Sequence, residues 1–486
     1  MKPEKSGCVR ERSRFGRYKE VIMMSKIRFY FAMAAAKLTY RLLRICGRAA
    51  THTPGAVAVR LCPDFLGHLK KPETLICVTG TDGKTTVSNL LASILQDNGY
   101  TVTNNSYGSN ICEGVISALL TDATFSGKPK KQVGVLEVDE RSSLKVYKYL
   151  TPDILICNNI MRDSLKRNAH TDFICYILNK QLPESVKVVL NADDLICSGL
   201  FPNNTDRTYF GVSAEKPGNG VSTDGALRDI VYCPECGARL ETEYVRYNHI
   251  GRHRCPACGF ASPRPDYDVT AIDREKGTFT VTHNGENEEY KIINDNIINI
   301  YNSCAVISVL HTFGMDYGQI RRSFETAKIV SSRFDIKKVG EYTIVGQLAK
   351  GQNPVACAMA YRYAASFQTS SPDAKKGVLV LVDDVGDNTG NSESTCWLYD
   401  CDYSALCDPS IGQIVFSGPR CLDHRLRALM AGVDASKIVT CPTFDGGVGL
   451  LDTEKYKDLF VLFDPYLIEE GNAAKRFLEE KGGAAQ

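Results

Sequence analysis

Between residues 72 and 194, short apolar runs alternate with stretches whose apolar positions recur every three or four residues. TLICVTG ends in a glycine-rich turn, and TVSNLLASILQDNG then carries helical periodicity and stops at Gly99, a C-cap. YTVTNN, VGVLEVDE (133–140), PDILICNNI (152–160) and VKVVLNADD (186–194) predict further strands, the last three with acidic or amide residues at their C-terminal ends. A parallel doubly wound sheet places its ligands at such ends, and strand-helix alternation predicts an α/β domain.

Residues 225–292 break the rhythm with cysteine pairs and then the short strand-like alternation of DVTAIDREKGTFTVTHNGENEEYKI. Helix returns at 297–312 and again up to Thr326, and a boundary is expected around 329–340. EYTIVGQLA, GVLVLVDD, QIVFSG and LFVLFDPY then supply strands for a second, C-terminal α/β domain of roughly 150 residues. The expected organisation is a leader and amphipathic segment over 1–48, a central domain over 49–330 with an insertion at about 231–262, and a C-terminal domain over 331–486.

The chain has 43% apolar and 23% charged residues and a formal net charge of +2, which excludes no class beyond fibrous and disordered proteins. The distribution of charge is more informative. Through Arg60 there are fourteen Lys or Arg against three Glu and no Asp, so the remainder is net negative. Within this arm, Lys26, Arg28, Lys37, Arg41 and Arg44 interrupt the apolar stretch too often for a membrane span. Ile27, Tyr30, Phe31, Ala34, Leu38, Arg41, Leu42 and Ile45 fall near helical spacing, which predicts an amphipathic helix. Two readings follow: the apolar face docks on its own domain, or it lies on the anionic inner face of a membrane. Residues 1–20 read as a polar, unstructured leader, with Met23 or Met24 as an alternative start. Nineteen scattered cysteines without an export signal predict reduced thiols and a cytoplasmic protein.

Gly80-Thr81-Asp82-Gly83-Lys84-Thr85-Thr86 joins an apolar strand to a helix. It is not a Walker A loop of standard spacing, because Val78 stands where the first glycine would be. A glycine turn that opens a helix nevertheless aims backbone N–H groups at one point, which suits a phosphate. Lys84 can reach the β and γ phosphates and the Thr85 hydroxyl can meet Mg²⁺, so a nucleotide such as ATP is the expected ligand. A second constellation, Cys233, Cys236, Cys255 and Cys258, has C-x₂-C spacing in each pair. Four thiolates satisfy tetrahedral Zn²⁺ and leave no open position, which predicts a structural zinc ribbon with His249 and His253 as surplus. Arg239, Arg246, Arg252 and Arg254 are offset by Glu235, Glu241 and Glu243, so no nucleic acid is expected as a partner.

The loop's spacing, Gly-Thr-x-Gly-Lys-Thr-Thr, resembles that of the Mur ligase family, and so implies a Mur ligase-like ATP-binding domain. Asp82 stands where that loop usually has asparagine. Glu137 in LEVDE resembles the family's strand-end acid for a second Mg²⁺, Asn302 resembles the asparagine that faces the nucleotide, and Arg333 in SSRFD resembles the arginine that reaches the phosphates. On residue type alone, Glu137 and Arg333 could equally be strand-end and hinge ion pairs. The four-cysteine insertion, together with NNIMRDSLKR, GFASPRPDYD, LAKGQNPVACAMA, STCWLYDCDYSAL and GPRCLDHRLRALMAGV, resembles the MurT type of ligase subunit.

That resemblance implies ATP-dependent amidation of the D-glutamate α-carboxylate of lipid II through an acyl phosphate, in peptidoglycan biosynthesis. Ammonia would come from a GatD-like glutaminase partner, whose Cys-His pair would borrow an aspartate from this chain. Asp400, at the end of WLYD, matches best among Asp383, Asp384, Asp387, Asp400 and Asp402; otherwise it caps a turn. Two other readings stand beside this one. The first is a stand-alone Mur or folylpolyglutamate-type ligase that adds an amino acid, and the second is a scaffold that has kept an inactive nucleotide fold.

Overall fold

The structure, a computed structural model, describes residues 7–105, 109–163, 170–216, 229–328, 334–348, 353–369, 371, 373–382, 396–464 and 466–484. The chain divides into two units: Met1–Ile160 with Asp172–Lys216 and Ala261–Ile329, and Met161–Thr171 with Pro217–Phe260 and Val330–Gln486.

In the first unit, β1 (Thr74–Thr79), β2 (Val102–Asn104), β3 (Val133–Glu137), β4 (Ile154–Cys157), β5 (Lys187–Asn191) and β6 (Arg207–Val212) pair in parallel. The apolar runs place these strands, since a strand covered on both faces needs apolar residues throughout. β1 lies between β3 and β4. Thr79 is in register with Cys157, and Val78 with Glu137, so the ends of all three strands meet at the glycine loop.

Two helices of the opening arm, α1 (Gly7–Ile45) and α2 (Thr53–Leu61), pack together on this unit. The next two, α3 (Lys84–Asp97) and α4 (Cys112–Thr121), follow β1 and β2. Leu75, Cys77, Leu136 and Leu155 join Phe29, Phe65 and Leu120 in one buried cluster, which ties the first helix to the sheet.

The helical periodicity of α1 is borne out, but the docking face is not the one expected. Phe29, Ala32, Met33 and Ala36 are buried, whereas Ile27, Tyr30, Phe31, Leu38, Leu42 and Ile45 are exposed. Alanines at positions 32 and 36 let the helix backbone approach the domain closely, and the Phe29 ring lies with its centroid 5.0 Å from those of Phe65, against which it is tilted, and His68, on which it stacks. The helix also begins at Gly7, so much of the leader expected to be unstructured is helical.

The hairpin strands that break the rhythm in sequence do not break the sheet. After β7 (Glu241–Tyr247) and β8 (Ile250–Arg254), which among the described residues pair only with each other, β9 (Tyr267–Asp273) joins β6 in parallel. Antiparallel pairing then adds β10 (Thr278–His283) and β11 (Glu286–Lys291), completing, among the described residues, a nine-stranded sheet. The Ile297–Phe313 helix is capped by the Asn296 side chain, which accepts from the Ile298 N–H at 3.0 Å, and it packs on α3.

The second unit contains a six-stranded sheet of order β12-β13-β17-β14-β15-β16, among the described residues. Its strands are β12 (Phe334–Val339), β13 (Tyr342–Leu348), β14 (Lys376–Leu381), β15 (Ile411–Ser417), β16 (Ile438–Cys441) and β17 (Asp458–Phe463). All pair in parallel except the edge strand β12. Val378, Phe416 and Phe460 fill one face and Leu379, Val415 and Leu459 the other. The β7–β8 hairpin and its cysteines are inserted by sequence between two strands of the first unit, yet they group in space with the second.

Candidate functional site

The glycine loop is held open by its backbone. Gly80 has φ +120° and Gly83 has φ +81°, values that L side chains rarely adopt. A methyl group on Gly83 would lie 2.3 Å from the Asn302 amide oxygen and 2.8 Å from the Asn158 amide nitrogen. Two amide side chains thus close on the turn where Asn302 was expected to face a nucleotide. The loop is pinned from β4's end: Thr81 N–H donates to the Asn159 carbonyl at 2.9 Å and Asp82 N–H to its side-chain oxygen at 2.9 Å. The Asn158 and Asn159 side chains in turn donate to the Asp82 carbonyl at 3.3 and 3.2 Å.

Lys84 is buried at the start of α3 and donates to the carbonyls of Gly80 and of Thr81, the latter at 3.1 Å. Its ammonium also lies 2.9 Å from the Glu140 carboxylate. Burial pushes the Glu140 carboxyl upward, and Lys84 opposes that shift. The Thr85 hydroxyl donates to Glu137 at 2.8 Å, and the Asn110 amide donates to the other Glu137 oxygen at 3.0 Å. Asn105 fixes the Glu137 backbone reciprocally, donating to its carbonyl at 2.9 Å and accepting its N–H at 2.8 Å.

These residues fit a Mg²⁺-nucleotide. Thr85 and Glu137 offer hard oxygen donors side by side, as Mg²⁺ requires. The Asn158 side-chain oxygen is buried beside the loop without a hydrogen-bond partner among the described residues, and the space at Gly83 is one that a Cβ would fill. Gly80, Thr81, Gly83, Lys84, Thr85, Glu137 and Asn302 are therefore brought together in the first unit, and Thr86 follows them on α3. Arg333 lies outside the described residues, as do residues 164–167 of NNIMRDSLKR. Glu140, Asn158 and Asn159 are additions to the expected set. The visible signal for them was the cluster of acid and amide residues at strand ends.

In the second unit the Sγ atoms of Cys233, Cys236, Cys255 and Cys258 all lie within 4.8 Å of one another. Matching backbone bonds build the two knuckles: Gly237 N–H donates to the Cys233 carbonyl at 2.9 Å, and Gly259 N–H to the Cys255 carbonyl at 3.1 Å. Four convergent thiols fit a tetrahedral metal. His253 bonds to Thr242 and to the His249 carbonyl, and His249 faces Asp229, so both are engaged elsewhere.

Asp400 ends the Trp397–Asp400 helix and lines a pocket of that unit with Arg162, Asp229, Asn248, Arg362 and Asp402. Burial raises its carboxyl, Arg162 opposes, and Asp229 adds to the rise. Asp402 is committed internally, to Arg362 at 3.1 Å and to the Ser404 N–H at 2.9 Å. Asp400 has no hydrogen bond or ion pair among the described residues. Asp383, Asp384 and Asp387 lie outside them. Beside Asp400, the Cys421–Met430 helix leaves Leu422, Leu426 and Met430 exposed, and its Arg427 donates to the Leu398 and Cys401 carbonyls at 3.1 and 3.0 Å.

Two family models match: the Mur ligase middle domain over residues 78–226 and the MurT ligase C-terminal domain over residues 350–464. The chain is 29% identical to the lipid II isoglutaminyl synthase (glutamine-hydrolyzing) subunit MurT of Staphylococcus aureus, across 90% of this chain and 96% of that one. Identity to the same-named subunit of Streptococcus pneumoniae is 27%, across 88% and 93%. Among solved structures, a pseudomurein peptide ligase type C from Methanothermus fervidus superposes with a TM-score of 0.62 at 20% identity, covering 86% of this chain and 81% of the ligase. MurF ligase from Thermotoga maritima, solved with ADP, gives 0.55 at 15% identity, covering 89% and 85%. At these identities the structural likeness shows the fold alone.

Proposed function

From the likeness to MurT subunits across 88–90% of the chain and the matches to the Mur ligase middle and MurT C-terminal models, we propose that the chain is the synthetase subunit of a lipid II isoglutaminyl synthase. In this reading it is an ATP-dependent carbon-nitrogen ligase that amidates the D-glutamate α-carboxylate of lipid II with ammonia from a GatD-like glutaminase.

The carboxylate oxygen attacks the γ-phosphorus of ATP, the bond to the ADP oxygen breaks, and an acyl phosphate forms. The ammonia lone pair then attacks the acyl carbon, the carbon-oxygen bond to phosphate breaks, and the nitrogen loses a proton. Lys84 would neutralise charge on the β and γ phosphates, exchanging or sharing its contact with Glu140. Thr85 and Glu137 would hold Mg²⁺, with Asn110 orienting the carboxylate; a bound Mg²⁺ would supply positive charge against the charge that develops on the phosphates. The four cysteines would hold Zn²⁺ in a closed, structural shell.

The observation that carries this reading over a stand-alone amino-acid ligase is Asp400. It is a half-buried carboxylate without a hydrogen bond among the described residues, inside the region matched by the MurT C-terminal model. A partner's histidine would find there the acid that fixes its tautomer. The exposed Leu422, Leu426 and Met430 of the Cys421–Met430 helix, whose Arg427 bonds to the carbonyls of Leu398 and Cys401, support a docking surface for that partner. Asp400→Asn should therefore lower glutamine-driven amidation by about 10³-fold or more while ammonium-driven amidation stays near wild type. Equal loss with both nitrogen sources, or transfer of an amino acid without any partner, would contradict the proposal.

A further inference from the structure

The described part of α1 has two apolar faces. Phe29, Ala32, Met33 and Ala36 are buried against the first unit. On the opposite face Ile27, Phe31, Leu38, Leu42 and Ile45 are between 53% and 82% exposed. At about 100° per residue these five and Ala34 fall on one line, which runs for about 27 Å. Docking the helix has therefore left its larger apolar side chains facing outward.

The flanks are basic. Lys26, Arg28, Arg41 and Arg44 are exposed along the helix. Lys37 donates to the Ala123 carbonyl at 2.6 Å and lies 5.6 Å from the ring of Phe125, itself 55% exposed. The turn that carries Phe125 also exposes Lys128 and Lys130. Burial lowers the Lys37 ammonium, and the proximity of Lys130 and Arg41 adds to that lowering. No acidic residue occurs between Glu20 and Asp64.

We propose that α1 is an interfacial anchor: it lies in the plane of an anionic bilayer, with the Ile27–Ile45 stripe set into the headgroup boundary and the basic flanks on the lipid phosphates. A narrow apolar stripe bordered by Lys and Arg is what such a surface selects. No helix among the described residues is long and apolar enough to cross a membrane, which agrees with lying on it. A second copy of the chain is the poorer occupant, because it would set basic flanks against basic flanks. The proposal stands on the helix and does not depend on the reaction proposed above.

The test is sedimentation of the full chain with vesicles of phosphatidylcholine alone or mixed with phosphatidylglycerol. The chain should pellet with the mixed vesicles, weakly with pure phosphatidylcholine, and less as salt rises. Phe31→Ser with Leu38→Ser should lower partitioning by about tenfold or more. Arg41→Glu with Arg44→Glu should remove the preference for the anionic vesicles. All four positions are exposed, so the melting temperature should hold in both variants. The inference is overturned if the chain stays in the supernatant with both vesicles or if the stripe variant binds as wild type does. It is equally overturned if sedimentation velocity reveals a dimer that the stripe variant dissolves while vesicle binding is absent.

Discussion

Lys84 is buried and its ammonium touches a carboxylate, Glu140, whose own ionisation is opposed by burial. A buried pair of this kind is weak evidence for stability, since desolvation offsets much of the attraction. In the proposed reaction its value would lie in presenting a positioned cation to an incoming phosphate. Lys84→Ala should lower ATP turnover by about 10²–10³-fold, the scale on which a phosphate-neutralising cation acts, as read by ADP release with lipid II present. A lysine with only a structural role would leave turnover intact and lower the melting temperature. Asp464 gives a second prediction at this scale. Burial pushes its carboxyl up to about 6, although the Tyr466 and Leu467 N–H groups donate to it at 2.7 and 3.2 Å. A carboxyl raised in the folded state favours folding at low pH, and that contribution is lost as pH rises from about 4 through about 6. The loss is on the order of 2–3 kcal/mol. Asp464→Asn keeps the acceptor oxygen and should raise the urea midpoint at neutral pH, with the gain vanishing towards pH ~4. A gain independent of pH would contradict this cause.

The four-cysteine element makes a prediction of its own. Purified chain should carry one zinc, and Cys255→Ser or chelation should remove it and open the β7–β8 hairpin to protease, because the ligands supply the element's folding energy. A hairpin equally resistant without metal would sink that view. The element was legible in sequence because ligand spacing is local. So were β1, β3, β4 and β5, whose apolar runs exist because both faces are covered. β12, FDIKKV, was not anticipated, since an edge strand needs only one apolar face and its polar residues hid it. The first helix was legible as a helix but not in its orientation. Periodicity weights large side chains, yet Ala32 and Ala36 permit the close approach that decided which face is buried. Asn158 and Asn159 were visible as amides at a strand end, but their contacts to Asp82 lie 76 and 77 residues away in the chain. Distance of that kind is fixed by strand order, not by local pattern.

At the scale of the molecule, the proposed reaction divides between the two units. The first holds the loop, Lys84, Thr85 and Glu137, which would handle ATP; the second holds Asp400, which would serve a partner's glutaminase. Either unit alone should therefore fail at glutamine-dependent amidation, and the whole chain should need a second protein for it. The net positive arm, in a chain whose formal charge is only +2, adds a surface that could keep both near a lipid substrate. The most direct test combines the full chain, a co-purified glutaminase, ATP, Mg²⁺, glutamine and lipid II, and measures the mass of the lipid product. The expected result is a product lighter by the difference between a hydroxyl and an amino group, formed with stoichiometric ADP, and absent when ATP or the partner is left out. An unchanged mass in the presence of a glutaminase that is hydrolysing glutamine, or a mass increased by an added amino acid, would contradict it.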